Sequence, residues 1–408
     1  MPRQALLAVL FGVLIPLVGS AESFSKWSLW SGGTRLRGAN IWQTIVGDQD
    51  STVLGPGYTG PPYSNAILQA LRARGANFVS ISGPGVFAER PPYAFDQRAL
   101  NALDQLVDQI SAAGLYSVIS FRTGPGRSEA TFAVPSSESA NLVWKVSAAQ
   151  DAWVAMWRKV ADHYRNNPNV IGLNLMVEPN SNAVLMNEWD PTSFFAKHGG
   201  SLYDWNALAN RITAAIREVD NDVPILINPM NWGDLAWLPK ERVVNDPHVV
   251  YSISQYEPFA YTHQKPPLTL AYPGSLTDPS EDGPVMVNRA WLDKLIAPIK
   301  TWSERYHHPV AVLEFGLMRW EPGLTQFLQD QMEAFEATGL NHALWLWESD
   351  YPGVDWDDFN FRVSPPQQLF ETLSKVWSRN TDFPAMPLPQ VKPGRKSIRL
   401  TTRPFNRP

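Results

Sequence analysis

From residue 35 to residue 378, short apolar, β-branched runs alternate with amphipathic stretches of helical period. This alternation restricts the fold more than any other feature of the chain. The strand-like runs are Arg35–Ile41, Ala76–Ser82, Tyr116–Arg122, Val170–Glu178, Pro224–Asn228, Val249–Gln255, Val310–Glu314 and His342–Trp347. Between them the helical pattern holds over Asn65–Arg74, Gln97–Ala113, Asp151–Arg165, Leu202–Val219, Arg289–Arg305 and Leu324–Ala337, and Pro366–Trp377 follows the eighth run. The fifth connection is the weakest, with only a short Asp234–Glu241 segment. Gly75, Gly114 and Gly339 fall just past three of the helices, where a left-handed cap is expected. Eight strands, each followed by a helix, predict one α/β domain, a (β/α)8 (TIM) barrel over residues 22–379. An open doubly wound sheet would carry a glycine-rich phosphate turn after its first strand. Here that strand leads into Trp42-Gln43, and the Gly-Pro-Gly segments at 83–85 and 124–126 lack the spacing and the lysine of a phosphate cradle. Both read as loop turns.

Two of the apolar runs stop abruptly at a carboxylate. Val170 to Val177 is closed by Glu178-Pro179-Asn180, and Pro309 to Leu313 by Glu314-Phe315-Gly316. Barrels of this kind gather their chemistry at the C-terminal strand ends, which is where both glutamates fall. A carboxylate held there on a stiff backbone is partly desolvated, and two facing each other form an acid/base and nucleophile pair. Taken singly, each also reads as a strand-end glutamate paired with an Arg or Lys.

Met1 to Ala21 has the pattern of an export signal: Arg3, an apolar stretch from Ala5 to Val18, then small residues at Gly19-Ser20-Ala21. The alternative is a retained anchor, for which the stretch is short. The chain has no cysteine, which excludes disulfides, a lipidated N-terminal Cys and thiolate metal sites. Export without cysteine suits a bacterial periplasmic or extracellular protein. A net charge of −5 favours neither nucleic acid nor an anionic membrane as partner. Residues 380–408 carry six prolines and six Lys or Arg against the single acid Asp382, and read as a disordered basic tail. Trp is abundant, 17 of 408 residues, and Trp42, Trp189, Trp232, Trp320 and Trp356 fall in loops, where indoles can stack on flat apolar faces or simply cap the barrel ends. No His/Asp cluster has metal-ligand spacing, so neither a metal nor another cofactor is expected.

In this setting the chain resembles glycoside hydrolase family 5, the cellulase family, within the retaining (β/α)8-barrel glycosidases. The pieces that carry the resemblance are Arg35 to Asn40, Val177-Glu178-Pro179-Asn180, Ser254 to Phe259 with Thr262-His263-Gln264, Val312 to Gly316, and Ala343-Leu344-Trp345-Leu346-Trp347. They occur in the family's order. The departures are Ser80 where the family has a strand-two arginine, Arg122 for a strand-three histidine, Val177 for the asparagine before the acid/base, and Gln255 for the strand-six histidine.

The resemblance implies an enzyme that cleaves a β-linked glucan or related polysaccharide by double displacement, and the export signal would make it secreted or periplasmic. Glu178 would be the acid/base and Glu314 the nucleophile, kept ionised by Tyr256. Trp345 would floor the cleavage point, with Trp347 on the same strand face by parity. Gln255, His263, Gln264, Asn40 and Trp232 are further substrate-binding candidates. Arg122 has two readings: it reaches Glu314 in place of the missing cation at Ser80, or it pairs with Glu129. Rival functions are a transglycosylase sharing the same intermediate and a polysaccharide-binding barrel without turnover. A monomer is expected.

Overall fold

The structure, a computed structural model, describes residues 25–45, 59–60, 62–133, 140–277, 283–349, 358–359, 361 and 368–385. The export segment, Trp356 and residues 386–408 of the basic tail lie outside the described residues.

Eight parallel strands close into a barrel: β1 (Arg37–Trp42), β2 (Phe78–Pro84), β3 (Tyr116–Thr123), β4 (Val170–Asn174), β5 (Ile225–Ile227), β6 (Val249–Gln255), β7 (Val310–Phe315) and β8 (Asn341–Leu344). Each strand pairs with its sequence neighbour, and β1 closes the ring on β8 with Arg37 opposite His342. The outer layer holds α1 (Asn65–Ala73), α2 (Gln97–Ala112), α3 (Ser147–Tyr164), α4 (Trp205–Arg217), α5 (Arg289–Tyr306), α6 (Leu324–Thr338) and α7 (Leu369–Trp377). The (β/α)8 barrel is therefore as the sequence predicts. After β5 only two short turns of helix, Met230–Gly233 and Leu238–Lys240, stand where a full helix would. Gly75, Gly114 and Gly339 have φ of +98°, +76° and +79°, the conformation a helix C-cap needs.

Two apolar layers hold the barrel. The larger lies between strands and helices and includes the fully buried Trp153, Trp157, Trp205 and Trp377. The smaller fills the N-terminal half of the lumen with Phe78, Val118, Leu226, Val250 and Leu313, and Trp30 plugs it from below by donating its indole N–H to the carbonyl of Ile171 at 2.9 Å. Space there is tight enough to require glycine: a Cβ on Gly38 would sit 2.1 Å from the carbonyl oxygen of Phe78. Higher in the lumen the apolar residues give way to polar ones. Asn40 donates to the Leu313 carbonyl at 2.6 Å, and the hydroxyls of Ser80 and Ser120 meet at 3.1 Å. This polar layer lies toward the C-terminal strand ends.

Several boundaries differ from expectation. The fourth run predicts a strand to Glu178, but β4 ends at Asn174 and Glu178 lies in the turn beyond it. The eighth run predicts a strand to Trp347, yet β8 ends at Leu344. An antiparallel pair, Gly274–Thr277 with Pro284–Val287, is inserted between β6 and α5. The first residues of the expected tail dock on the barrel. The Asn380 amide donates to the carbonyls of Arg37 (3.0 Å) and Gly75 (2.8 Å), and the guanidinium of Arg72 lies 3.6 Å from the Phe383 ring centroid.

Candidate active site

Glu314 reaches the lumen mouth because β7 is bulged. Alternation points Ala311 and Leu313 inward, which would turn Glu314 outward. The register on β6 shifts, however: Val312 pairs with Ile253, but Glu314, not Leu313, pairs with Ser254. One extra residue restarts the alternation and aims the carboxylate into the cleft, a common use of bulges beside functional sites. Glu314 is buried, and the Tyr256 hydroxyl donates to its Oε2 at 3.3 Å.

Glu178 takes a different route. It stands four positions past the end of β4 with φ +54°, a left-handed conformation uncommon for a residue with a side chain. Val177 N–H bonds to the Phe121 carbonyl at 2.9 Å, and Pro179 accepts from Trp232 N–H at 3.0 Å, so the turn is pinned on both flanks. The Ser254 hydroxyl faces the Glu178 carboxyl. Arg127, absent from the sequence-based candidates, donates to the carbonyls of Val177 and Glu178, each at 2.7 Å. The local signal for it was available: the Gly124-Pro125-Gly126 turn ends on this arginine.

Glu178 and Glu314 open into one cleft of about 730 Å³ at the C-terminal end of the barrel. Arg122 lines it too. Of its two readings the structure shows the pairing with Glu129, Nε to Oε2 at 3.3 Å, with the guanidinium 3.8 Å from the Phe132 centroid and 5.3 Å from that of Trp345. Its charge nevertheless acts on both Glu178 and Glu314. The Ser80 hydroxyl meets that of Ser120.

Aromatic residues wall the cleft. Trp189, 55% exposed, stacks on Trp232 with centroids 6.1 Å apart. Phe259, in the same cleft, stacks on His263 with centroids 3.8 Å apart. Trp345 and Gln255 also line the cleft, as does Tyr256. Burial pushes His263 down to about 4, so its ring is neutral at neutral pH, and its Nδ1 contacts the Thr262 hydroxyl at 2.9 Å.

Three candidates lie elsewhere. Trp347 packs in the outer core against Phe370 and Trp377 and donates to the Ile67 carbonyl at 3.0 Å. Parity with Trp345 fails because both lie past the last paired residue of β8, where strand alternation no longer holds. Asn40 is buried inside the barrel, tying β1 to β7 and β8. Gln264 organises its own loop, accepting from Thr269 and Leu270 N–H and donating to Glu321.

Both carboxyls titrate above the ordinary glutamate range. Burial is the first cause at each. At Glu178 the charges of Arg122 and Arg127 oppose it. At Glu314 the negative charge of Glu178 adds to it, and Arg122 and Tyr256 offset only part. Tyr256 and Arg122 thus favour the ionised form of Glu314, against burial and the charge of Glu178. The two groups are coupled, so their titration belongs to the pair. Among the described residues no group of three His, Cys, Asp or Glu is arranged to hold a metal, and no helix is long and apolar enough to cross a membrane.

Residues 39–351 match the family model described as Cellulase (glycosyl hydrolase family 5). The endoglucanase of Paenibacillus polymyxa is 26% identical over 235 residues, covering 53% of this chain and 51% of its own length. Endoglucanase C of Acetivibrio thermocellus is 24% identical over 254 residues, covering 55% and 67%. The chain thus spans about half to two thirds of these relatives. The crystal structure of endoglucanase Cel5A from Thermotoga maritima shares the fold, with a TM-score of 0.62 at 18% identity over 86% of this chain and 100% of that one.

Proposed function

Since the chain belongs to the cellulase family, glycosyl hydrolase family 5, we propose that it hydrolyses a β-linked glucan or related polysaccharide with retention of configuration. The observation that carries this reading is the convergence of Glu178 and Glu314, from the ends of β4 and β7, on one aromatic-walled cleft.

In the productive protonation state Glu178 carries a proton and Glu314 is ionised. The proton passes to the glycosidic oxygen as the bond to the anomeric carbon breaks, and the Glu314 carboxylate bonds to that carbon. Tyr256 donates to Glu314 and so favours its ionised form. In the second step Glu178 takes a proton from water, the water oxygen attacks the anomeric carbon, and Glu314 leaves. Trp345 provides a flat floor, and the Trp189–Trp232 and Phe259–His263 stacks provide walls against which sugar rings lie. Val177 is buried and does not line the cleft, so the family's contact at that position to the sugar 2-hydroxyl is missing. Export, read from the apolar segment Ala5 to Val18, belongs to the same proposal.

The test is reducing-end release from a panel of β-glucans, β-mannans and β-xylans between pH 4 and 8, with a 2-fluoro glycoside as trap. Release together with a covalent label on Glu314 is expected. Binding without release or label across the panel would replace this reading with that of a binding barrel. A label on Glu178 would reverse the two roles.

A further inference from the structure

The turn after β3 is built to deliver one side chain. Gly124 and Arg127 exchange backbone hydrogen bonds at 2.9 and 2.8 Å, and Gly126 occupies φ +71° with no room for a Cβ, which would meet Val143 N at 2.7 Å. The guanidinium of Arg127 is fully buried. Its Nη1 donates to the carbonyls of Arg122 and Val177, and its Nη2 to that of Glu178, all at 2.7 Å. The carbonyls of Val177 and Glu178 flank the backbone torsions of Glu178 itself. In an extended residue two such carbonyls point to opposite sides. In a left-handed residue they point alike, so one planar fork can bind both. A non-glycine residue leaves that conformation unless its surroundings impose it.

We infer that Arg127 is a positioning residue for the acid/base: it clamps the backbone of Glu178 in the left-handed state that turns the carboxyl into the cleft, and ties it to the end of β3. The neighbouring contact of Asn180 Nδ2 with the Thr131 hydroxyl, at 3.2 Å, fastens the same turn to the same loop. The inference rests on the glycosidase reading of Glu178, but the clamp itself is conformational and has its own readout.

The experiment compares wild type with R127M and R127K on two substrates: an unactivated oligosaccharide, which needs a proton on its leaving group, and a dinitrophenyl glycoside, which needs almost none. A misplaced acid should lower kcat/KM for the first by roughly 100-fold and for the second by no more than about 3-fold. Azide should raise kcat of the variants on the dinitrophenyl glycoside. Arg122, Glu129, Glu314 and Ser254 face Glu178 in either variant. The charge of Arg127 favours the ionised form of Glu178. R127M should therefore carry the alkaline limb of the profile upward by about one pH unit. In a crystal structure of R127M, the φ of Glu178 should leave the left-handed region.

Equal losses on both substrates, or an unchanged Glu178 backbone in R127M, would overturn the inference. Should R127M fail to fold, R127Q, which keeps an amide donor, is read by the same criteria. A wild-type chain that acts on neither substrate and takes no fluoro-sugar label would end the glycosidase reading instead. The Glu178 backbone of the variant would then decide the clamp by itself.

Discussion

The hydroxyl of Tyr256 stands 3.3 Å from Oε2 of Glu314, joining the residue just past β6 to the carboxylate that the bulge in β7 turns into the cleft. That donor partly offsets the burial and the neighbouring Glu178 charge that push Glu314 upward. Removing it in Y256F favours the protonated form of Glu314, leaving less of the productive state. A hydrogen bond to a charged group contributes about 1.5–3 kcal/mol, so labelling by a 2-fluoro glycoside should slow by roughly 10- to 100-fold. An unchanged labelling rate would remove Tyr256 from the mechanism.

The pH dependence follows from both carboxyls being raised. Cleavage needs one proton on the pair: below its lower macroscopic value no nucleophile is ionised, and above its upper value no acid remains. The kcat/KM profile should be a bell whose alkaline limb lies well above the ordinary glutamate value of about 4.3. An alkaline limb below pH 5.5 would contradict the burial of the site. Stability has the same origin. A carboxyl raised in the folded state contributes stability at pH below its unfolded value, and this is lost as pH rises through the folded value. E314Q, inactive, should therefore melt a few degrees above wild type at pH 9 and gain less at pH 4.

The stacked pair Trp189 and Trp232 should act on binding alone, since Trp189 is 55% exposed and neither indole carries a group that titrates. Removing one ring face from a sugar costs about 1–2 kcal/mol by the apolar area it covers. W232A should thus raise KM on a polymeric substrate by roughly 5- to 30-fold with kcat unchanged, the signature of lost uniform binding. A fall in kcat at constant KM would place Trp232 nearer the reacting sugar.

The barrel was legible in the sequence because its information is periodic. Each strand is an apolar run and each outer helix an amphipathic one, so strand number and order can be read from pattern. Glu178 and Glu314 were legible for a related reason, as charges ending such runs. Their aiming was not. It depends on a one-residue bulge at Leu313 and on a left-handed φ at Glu178, and neither leaves a periodic trace. Trp347 and Asn40 were misplaced because parity and strand position say which face a residue takes only while the ladder continues, and nothing of its height in the lumen. Arg127 was missed because its partners are carbonyls, which every residue has; only the preceding Gly-Pro-Gly turn hinted at a placed side chain.

At the opposite end of the barrel, Glu336 at the end of α6 offers a test of stability free of catalysis. Arg37 grips it with two hydrogen bonds, Nε to Oε1 at 2.7 Å and Nη2 to Oε2 at 2.6 Å, while His342 contacts Oε1 at 3.0 Å. The same Arg37 donates through Nη1 to Asn380 at 3.0 Å, so the ion pair also anchors the chain after α7. Burial alone would raise the Glu336 carboxyl, but its hydrogen bonds to His342 and Arg37 win and hold it down at about 2. A depressed carboxylate contributes stability above its unfolded value of about 4.3, and this fades as pH falls toward 2. E336Q keeps the shape but leaves the Arg37 guanidinium buried without its counter-charge, which should cost about 3 kcal/mol at pH 7. The melting temperature should drop by several degrees there, and the difference from wild type should shrink steadily between pH 5 and pH 2. A variant that melts with wild type at pH 7, or a difference that stays constant down to pH 2, would show that the pair adds nothing beyond what a neutral amide supplies.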